Sequence, residues 1–136
     1  MLDLGRTFLQ AVERDPSSLA LVDGSKRYTY EEWALHIGAI QKFFNKKGLK
    51  NGDRILTILQ NRFESATIHW ACQMAGIAIV PLNWRSKPNE IDYCAQNADV
   101  KLAFVEEVSL SNYLQSETSK SISVILCMEK VPSDGY

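Results

Sequence analysis

The sequence predicts an α/β protein: a mostly parallel sheet with helices on both faces, and a small β-hairpin near the N-terminus. Three observations carry this. Apolar runs of strand length recur at residues 54–59 (RILTIL), 77–81 (IAIVP), 100–105 (VKLAFV) and 122–128 (ISVILCM). Segments of helical period separate them, and parallel strands need crossovers of that length, which place helices on both sheet faces. The boundaries carry capping chemistry as well. The stretch 71–98 runs from an apolar helix through Gly76, a strand and the polar corner Leu82-Asn83-Trp84-Arg85 into a Ser/Pro-started helix.

The first helix is expected at Leu4–Arg14, with Leu4, Phe8, Leu9 and Val12 on one face and an end near Asp15-Pro16. Residues 20–23 and 27–30 are short β-type runs separated by Gly24-Ser25-Lys26, and Gly24 supplies the positive φ of a tight turn. Thr29-Tyr30-Glu31-Glu32 fits a capping box, in which the Thr hydroxyl and the Glu carboxylate each take a backbone amide. Trp33, Ile37, Ile40 and Phe44 follow at helical spacing, and Gly48 ends that helix after two lysines.

Residues 48–53 read as a turn, 54–59 as a buried strand, and Gln60-Asn61 as the bend into a helix at Phe63–Ala75. In the strand at 77–81, Pro81 suits a terminus because it donates no ladder hydrogen bond. Ser86 is expected to cap the next helix, with Pro88 in its first turn and Glu90 at its positive end. A strand at 100–105, a weaker helix at 108–116 and a strand at 122–128 complete the sheet, and the tail 129–136 is polar and turn-rich. All 136 residues form one α/β domain, long enough to bury a core.

Hydrophobic residues make up 46% and charged residues 23% of the chain, the balance of a globular domain. With a net charge of −1 and scattered Lys and Arg, nothing argues for nucleic acid or an anionic membrane as partner. Lys46, Lys47 and Lys50 read as a solvated helix end. Cys72, Cys94 and Cys127 are isolated among apolar residues without a Cys-x-x-Cys pair, so buried reduced thiols fit better than zinc or redox chemistry. The first ten residues lack the basic-then-apolar order of a secretory signal, and the longest apolar stretch, 74–82, is too short to span a bilayer. A cytoplasmic location is expected.

Open α/β sheets bind ligands at the carboxyl ends of their strands. The loops to inspect are therefore Gln60-Asn61, Leu82-Asn83-Trp84-Arg85, Glu106-Glu107 and Glu129-Lys130. A phosphate cradle needs glycines at a helix N-terminus; here only Gly48 and Gly52 lie close together, and they precede a strand. There is no GxSxG elbow, and His36 and His69 both fall within helices, where a structural role fits. Cys72 shares a helix face with His69, but its neighbours suggest packing and no third group is positioned. Glu106-Glu107 is the best carboxylate pair for acid–base or magnesium chemistry, yet adjacent strand residues point to opposite faces, so a solvated loop is expected. A phosphoryl receiver domain would want acidic residues where the first core strand ends, and Gln60-Asn61 stands there instead. Asn83 can bond neighbouring backbone and Arg85 offers a fork of donors, so this corner reads as a structural brace. The residues alone assign no catalytic, cofactor-binding or metal-ligating side chain.

Ala20-Leu21-Val22-Asp23 followed by Tyr28-Thr29-Tyr30-Glu31-Glu32 resembles the opening of the adenylate-forming enzymes, the AMP-dependent synthetase and ligase superfamily that contains the acyl-CoA synthetases. Gly48-Leu49-Lys50-Asn51-Gly52-Asp53-Arg54 resembles that family's G-x-x-x-G-D-R-V entry to its first core strand. Gly76-Ile77-Ala78-Ile79-Val80-Pro81-Leu82-Asn83-Trp84-Arg85, with Glu90-Ile91-Asp92-Tyr93 after it, is similar to the GA-x-x-VPLN-x-R…E-L-x-Y segment of its CoA ligases.

The resemblance implies an N-terminal subdomain of an acyl-CoA synthetase-like fold, an incomplete portion of the synthetase domain. It also implies a two-step reaction, in which a carboxylate attacks the α-phosphate of ATP with magnesium present and a thiol, usually coenzyme A, then displaces AMP. The Ser/Thr/Gly-rich loop with Lys that would stabilise phosphoryl transfer lies beyond Tyr136 in that pattern. No catalytic residue of the family maps onto this chain, and Asn83 and Arg85 carry over as architecture. The chain alone is expected to bind none of ATP, magnesium or coenzyme A, to lack activity, and to self-associate through exposed apolar surface. Two other readings stay open: a self-sufficient α/β binding or oligomerisation module derived from the family, and a cysteine enzyme using Cys72.

Overall fold

A computed structural model describes residues 3–127 of the chain. The expected tail at 129–136, the loop Glu129-Lys130 and the last residue of the strand at 122–128 lie outside the described residues. The elements run α1 (Leu4–Arg14), β1 (Leu19–Asp23), β2 (Lys26–Thr29), α2 (Tyr30–Lys46), β3 (Arg54–Ile58), α3 (Phe63–Ala75), β4 (Ala78–Leu82), α4 (Pro88–Ala98), β5 (Leu102–Glu106), α5 (Glu107–Leu114), a short 3₁₀ turn (Thr118–Lys120) and β6 (Val124–Cys127).

Strands β3 to β6 form one parallel sheet in the order β4-β3-β5-β6, and β1 and β2 form the separate antiparallel hairpin. The hairpin closes on Gly24 at φ 57°, as the turn required. Period-two alternation divides the core. Ile55, Leu102 and Phe104 face α1, α2 and α3 together with Phe8, Trp33, Ile37, Phe44 and Ile68. Leu56, Ile58, Ala103 and Val105 face α4 and α5 together with Ile91, Ala95 and Tyr113. The chain steps from β3 to β4 in one direction and from β4 past β3 to β5 in the other. Right-handed crossovers then put α3 on one face and α4 and α5 on the opposite face.

Local chemistry explains most boundaries. The capping box forms as written: Glu32 N–H donates to Thr29 Oγ1 at 3.2 Å and Thr29 N–H to Glu32 Oε2 at 2.9 Å. Gly76 ends α3 in the left-handed region at φ 65°, and Ile77 still donates to the Cys72 carbonyl, so β4 begins one residue later than expected. Likewise Asp99 takes a left-handed φ of 49° after α4, which delays β5 to Leu102.

Two expectations are corrected. Ser86 does not cap α4: Lys87 occupies that position, its N–H donates to Glu90 Oε2 at 2.7 Å, and Ser86 is buried with its carbonyl held by Asn112. In α1 the inward face is Gly5 and Phe8, while Leu4 and Leu9 are exposed. A Cβ on Gly5 would meet Met74 of α3 at 3.2 Å, so the smallest residue lies where the helices come closest.

Candidate functional site: the carboxyl edge of the sheet

In this strand order the direction of winding reverses at β3, so the crevice of an open α/β sheet lies between the carboxyl ends of β3 and β5. The chain fills that crevice with charge. Arg62, which precedes α3, donates from Nε to Glu64 Oε2 at 2.7 Å and from Nη1 to Glu106 Oε2 at 3.1 Å. The same Nη1 reaches the Cys127 carbonyl of β6 at 3.3 Å. Glu106 takes the Gln60 N–H on its other oxygen. Its own N–H donates to Ser109 Oγ at 3.1 Å, and the Ser109 hydroxyl donates to the Ile58 carbonyl at 2.7 Å. Phe63 N–H donates to Asp23 Oδ2 at 2.8 Å, and Lys26 lies 3.7 Å from Glu64, so the hairpin is fastened to the same edge.

The Arg62 and Glu106 side chains are only 10% and 5% exposed. Burial opposes the charge on Arg62, but hydrogen bonds and charge from Glu64 and then Glu106 outweigh it, and its pKa is raised. Burial also pushes the Glu64 carboxyl up; the Arg62 hydrogen bond, the residue's own backbone amide and the charges of Arg62 and Lys26 hold it below its ordinary value. Among the described residues, Arg62 Nη2 is the buried side-chain polar atom without a hydrogen-bond partner.

Each candidate residue now has a place. Gln60 and Glu106 meet, as two loops at one sheet edge can. Glu106 and Glu107 do not: Glu106 is buried and ends β5, while Glu107 is exposed and opens α5. The solvated-loop expectation therefore fails for Glu106, because an arginine from the neighbouring connection neutralises it. Asn83 braces the corner, its Oδ1 accepting the Arg85 N–H at 2.9 Å and its carbonyl the Ser86 N–H at 2.9 Å. The Arg85 guanidinium lies over the Trp84 ring, 4.0 Å from its centroid. Beside this corner a cleft of about 410 Å³ is lined by Thr57, Gln60, Asn61, Ser65, Asn83 and Trp84.

Cys72 is fully buried, and burial pushes its thiol up to about 12, which removes the thiolate a nucleophile requires. His69 packs edge-on to Trp70 at 5.6 Å, and His36 sits against Tyr28 and Phe63 at 4.8 and 5.0 Å. No group of three or more His, Cys, Asp and Glu able to hold a metal ion occurs among the described residues. None of the described helices is long and apolar enough to cross a membrane.

Arg62 was absent from the candidates drawn from sequence. Its signal was available: an arginine at the head of α3 and a glutamate closing an apolar strand fall at the same end of one parallel sheet.

The chain is 25% identical over 128 residues to the 2-succinylbenzoate–CoA ligase of Bacillus licheniformis, covering 91% of this chain and 26% of that protein. Its fold matches a fatty acyl-CoA synthetase of Mycobacterium tuberculosis with a TM-score of 0.84 at 19% identity, covering 92% of this chain and 26% of that one. It also matches a benzoate–CoA ligase of Burkholderia xenovorans with a TM-score of 0.83 at 15% identity, covering 96% and 26%. The chain thus spans about a quarter of the length of these proteins. The parallel sheet, the N-terminal hairpin and a match to the AMP-binding enzyme family over residues 8–135 agree: the chain belongs to the AMP-binding enzyme family.

Proposed function

We propose that this chain is the N-terminal portion of the synthetase domain of an ATP-dependent carboxylate–CoA ligase located in the cytoplasm, and that it does not catalyse the reaction alone. The family match over residues 8–135 carries this reading. The reaction is activation of a carboxylic acid as its acyl-adenylate with release of pyrophosphate, followed by transfer of the acyl group to the coenzyme A thiol with release of AMP. ATP, magnesium and coenzyme A belong to that larger assembly. The described residues contribute the first sheet, with its carboxyl edge closed by Arg62 and Glu106. That carboxylate is already neutralised by an arginine, so it is a poor magnesium ligand.

Carboxylate-dependent exchange of labelled pyrophosphate into ATP tests this. The purified chain gives no signal. The same assay on a polypeptide in which this sequence continues into a Ser/Thr/Gly-rich loop ending in Lys gives exchange with a subset of carboxylic acids. Exchange by the chain alone overturns the first part, and a longer polypeptide inert towards aliphatic and aromatic acids overturns the second.

One observation favours the alternative of a self-sufficient binding or oligomerisation module: both sheet faces already carry closed hydrophobic clusters. A monodisperse monomer with one cooperative melt supports that module. Concentration-dependent association through the open sheet edges, where Leu126 is exposed, supports the portion of a larger domain.

A further inference from the structure

We propose that Arg62 is a positioning residue: it latches Cys127, the last described residue of β6, onto β5. Strand β6 is the least supported of the four. Among the described residues it has four, lies at the edge and pairs only with β5. Its last rung sets Cys127 opposite Glu106. Arg62 reaches across from the β3–α3 connection and binds both members of that rung, the Glu106 carboxylate and the Cys127 carbonyl. Neither anchor is free to drift. Glu106 is pinned by the Gln60 and Ser109 contacts, and Arg62 by Glu64 and by the Asp23 bond to the next amide. Opening the end of β6 therefore requires breaking the bond from Arg62 to the Cys127 carbonyl at 3.3 Å, whose donor is held in place by a buried ion pair. A lysine reproduces this fork poorly, because its donors sit on one nitrogen, whereas the guanidinium reaches Glu64 from Nε and Glu106 and Cys127 from Nη1 in fixed, separate directions.

The consequence for catalysis rests on the ligase reading, in which the phosphate loop follows β6. A latch on Cys127 then steadies the strand that precedes that loop in the chain. Arg62 touches no reacting atom, and its effect passes through β6.

The chain reports on its own latch through its thiols. Cys127 lies at the latch, while Cys72 is fully buried in α3 and serves as the internal control. Iodoacetamide labelling, read peptide by peptide by mass spectrometry, is measured on wild type, Arg62→Lys, Arg62→Met and Glu106→Gln. Cys127 labelling is expected to rise roughly tenfold or more beyond any rise at Cys72 in Arg62→Met and Glu106→Gln, and to a smaller degree in Arg62→Lys, as for local opening on top of a general loss of stability. Unchanged Cys127 labelling overturns the latch. So does a rise of Cys72 and Cys127 by one common factor in every variant, which would mean global loosening.

A longer polypeptide separates the two claims. If it exchanges pyrophosphate and Arg62→Lys leaves kcat and the KM for ATP both unchanged, the positioning role falls. If the wild-type polypeptide exchanges nothing, the ligase reading falls, and the latch is judged by the thiols alone.

Discussion

The Arg62 guanidinium and the Glu106 carboxylate meet at 3.1 Å across the carboxyl ends of β3 and β5, 44 residues apart in sequence and almost fully buried. Removing one partner strands the other charge, which costs about 3–5 kcal/mol. Arg62→Met is therefore expected to lower the unfolding free energy by that amount in urea titrations. Glu106→Gln keeps the shape and the acceptor for Gln60, so its cost should be nearer 1–3 kcal/mol, about that of one lost charged hydrogen bond. The double variant should lose clearly less than the sum of the two, since the partners share one interaction. Strict additivity would show that they act separately.

Acid stability follows from the same edge. Arg62 holds the Glu64 carboxyl below its ordinary value against the opposing effect of burial. Asp92 is also lowered: slight burial opposes, but the Thr118 hydroxyl and amide and the Glu117 amide prevail. A carboxylate with a depressed folded pKa contributes stability that is complete above its unfolded value, near 4, and that disappears as pH falls towards the folded value. The unfolding free energy should thus be flat from neutral pH down to about 5 and decline below it. Glu64→Gln and Asp92→Asn should each flatten that acid limb without changing its direction. A decline that begins on the alkaline side would contradict this.

How much of this was legible in the sequence depended on the range of the interaction. The end of α3 at Gly76 and the Thr29–Glu32 capping box follow from contacts within a few residues, and the structure reproduces both. The parallel sheet was legible because period-two and 3.6-residue patterns alternate cleanly. The inward face of α1 was legible only in part: Phe8 and Val12 pack into the core as expected. Hydrophobicity pointed to Leu4 and Leu9, whereas the fit against Met74 demanded the glycine between them. The Arg62–Glu106 pair was likewise invisible to local reading, because only strand order brings the heads of two connections to one crevice.

Gly76 is expected to tolerate no side chain. It closes α3 at φ 65°, where a Cβ is strained, and a Cβ there would also collide with the Asn51 side-chain amide. Gly52, in the turn with Asn51, donates its N–H to the Gly76 carbonyl at 2.8 Å, so the turn before β3 cannot move away without losing that bond. Gly76→Ala should cost about 1–3 kcal/mol, the range for a non-glycine residue held in such a conformation. Gly24→Ala makes the comparison: its φ is 57° but nothing lies within 4 Å of the added carbon, so it carries strain without collision and should cost less. Equal losses in thermal melts would show that the Asn51 contact relaxes freely.

The thiols decide the fate of a cysteine mechanism. Cys72 is fully buried and its thiol is pushed up to about 12 by burial alone. Cys127 is raised to about 11 by burial and by the charge of Glu64, against the pull of Arg62. Both are protonated at neutral pH, and a protonated thiol is a weak nucleophile. Cys72 should therefore label last with iodoacetamide at pH 8, and raising the pH to 9 should leave it protected, since access limits it as much as ionisation. Cys72→Ala should destabilise the fold by about 1–2 kcal/mol through the small cavity it opens beside Ala71 and Ile68. Any activity of the longer polypeptide should survive that substitution at temperatures where the variant is folded. Loss of turnover with an unchanged melt would restore Cys72 as a nucleophile.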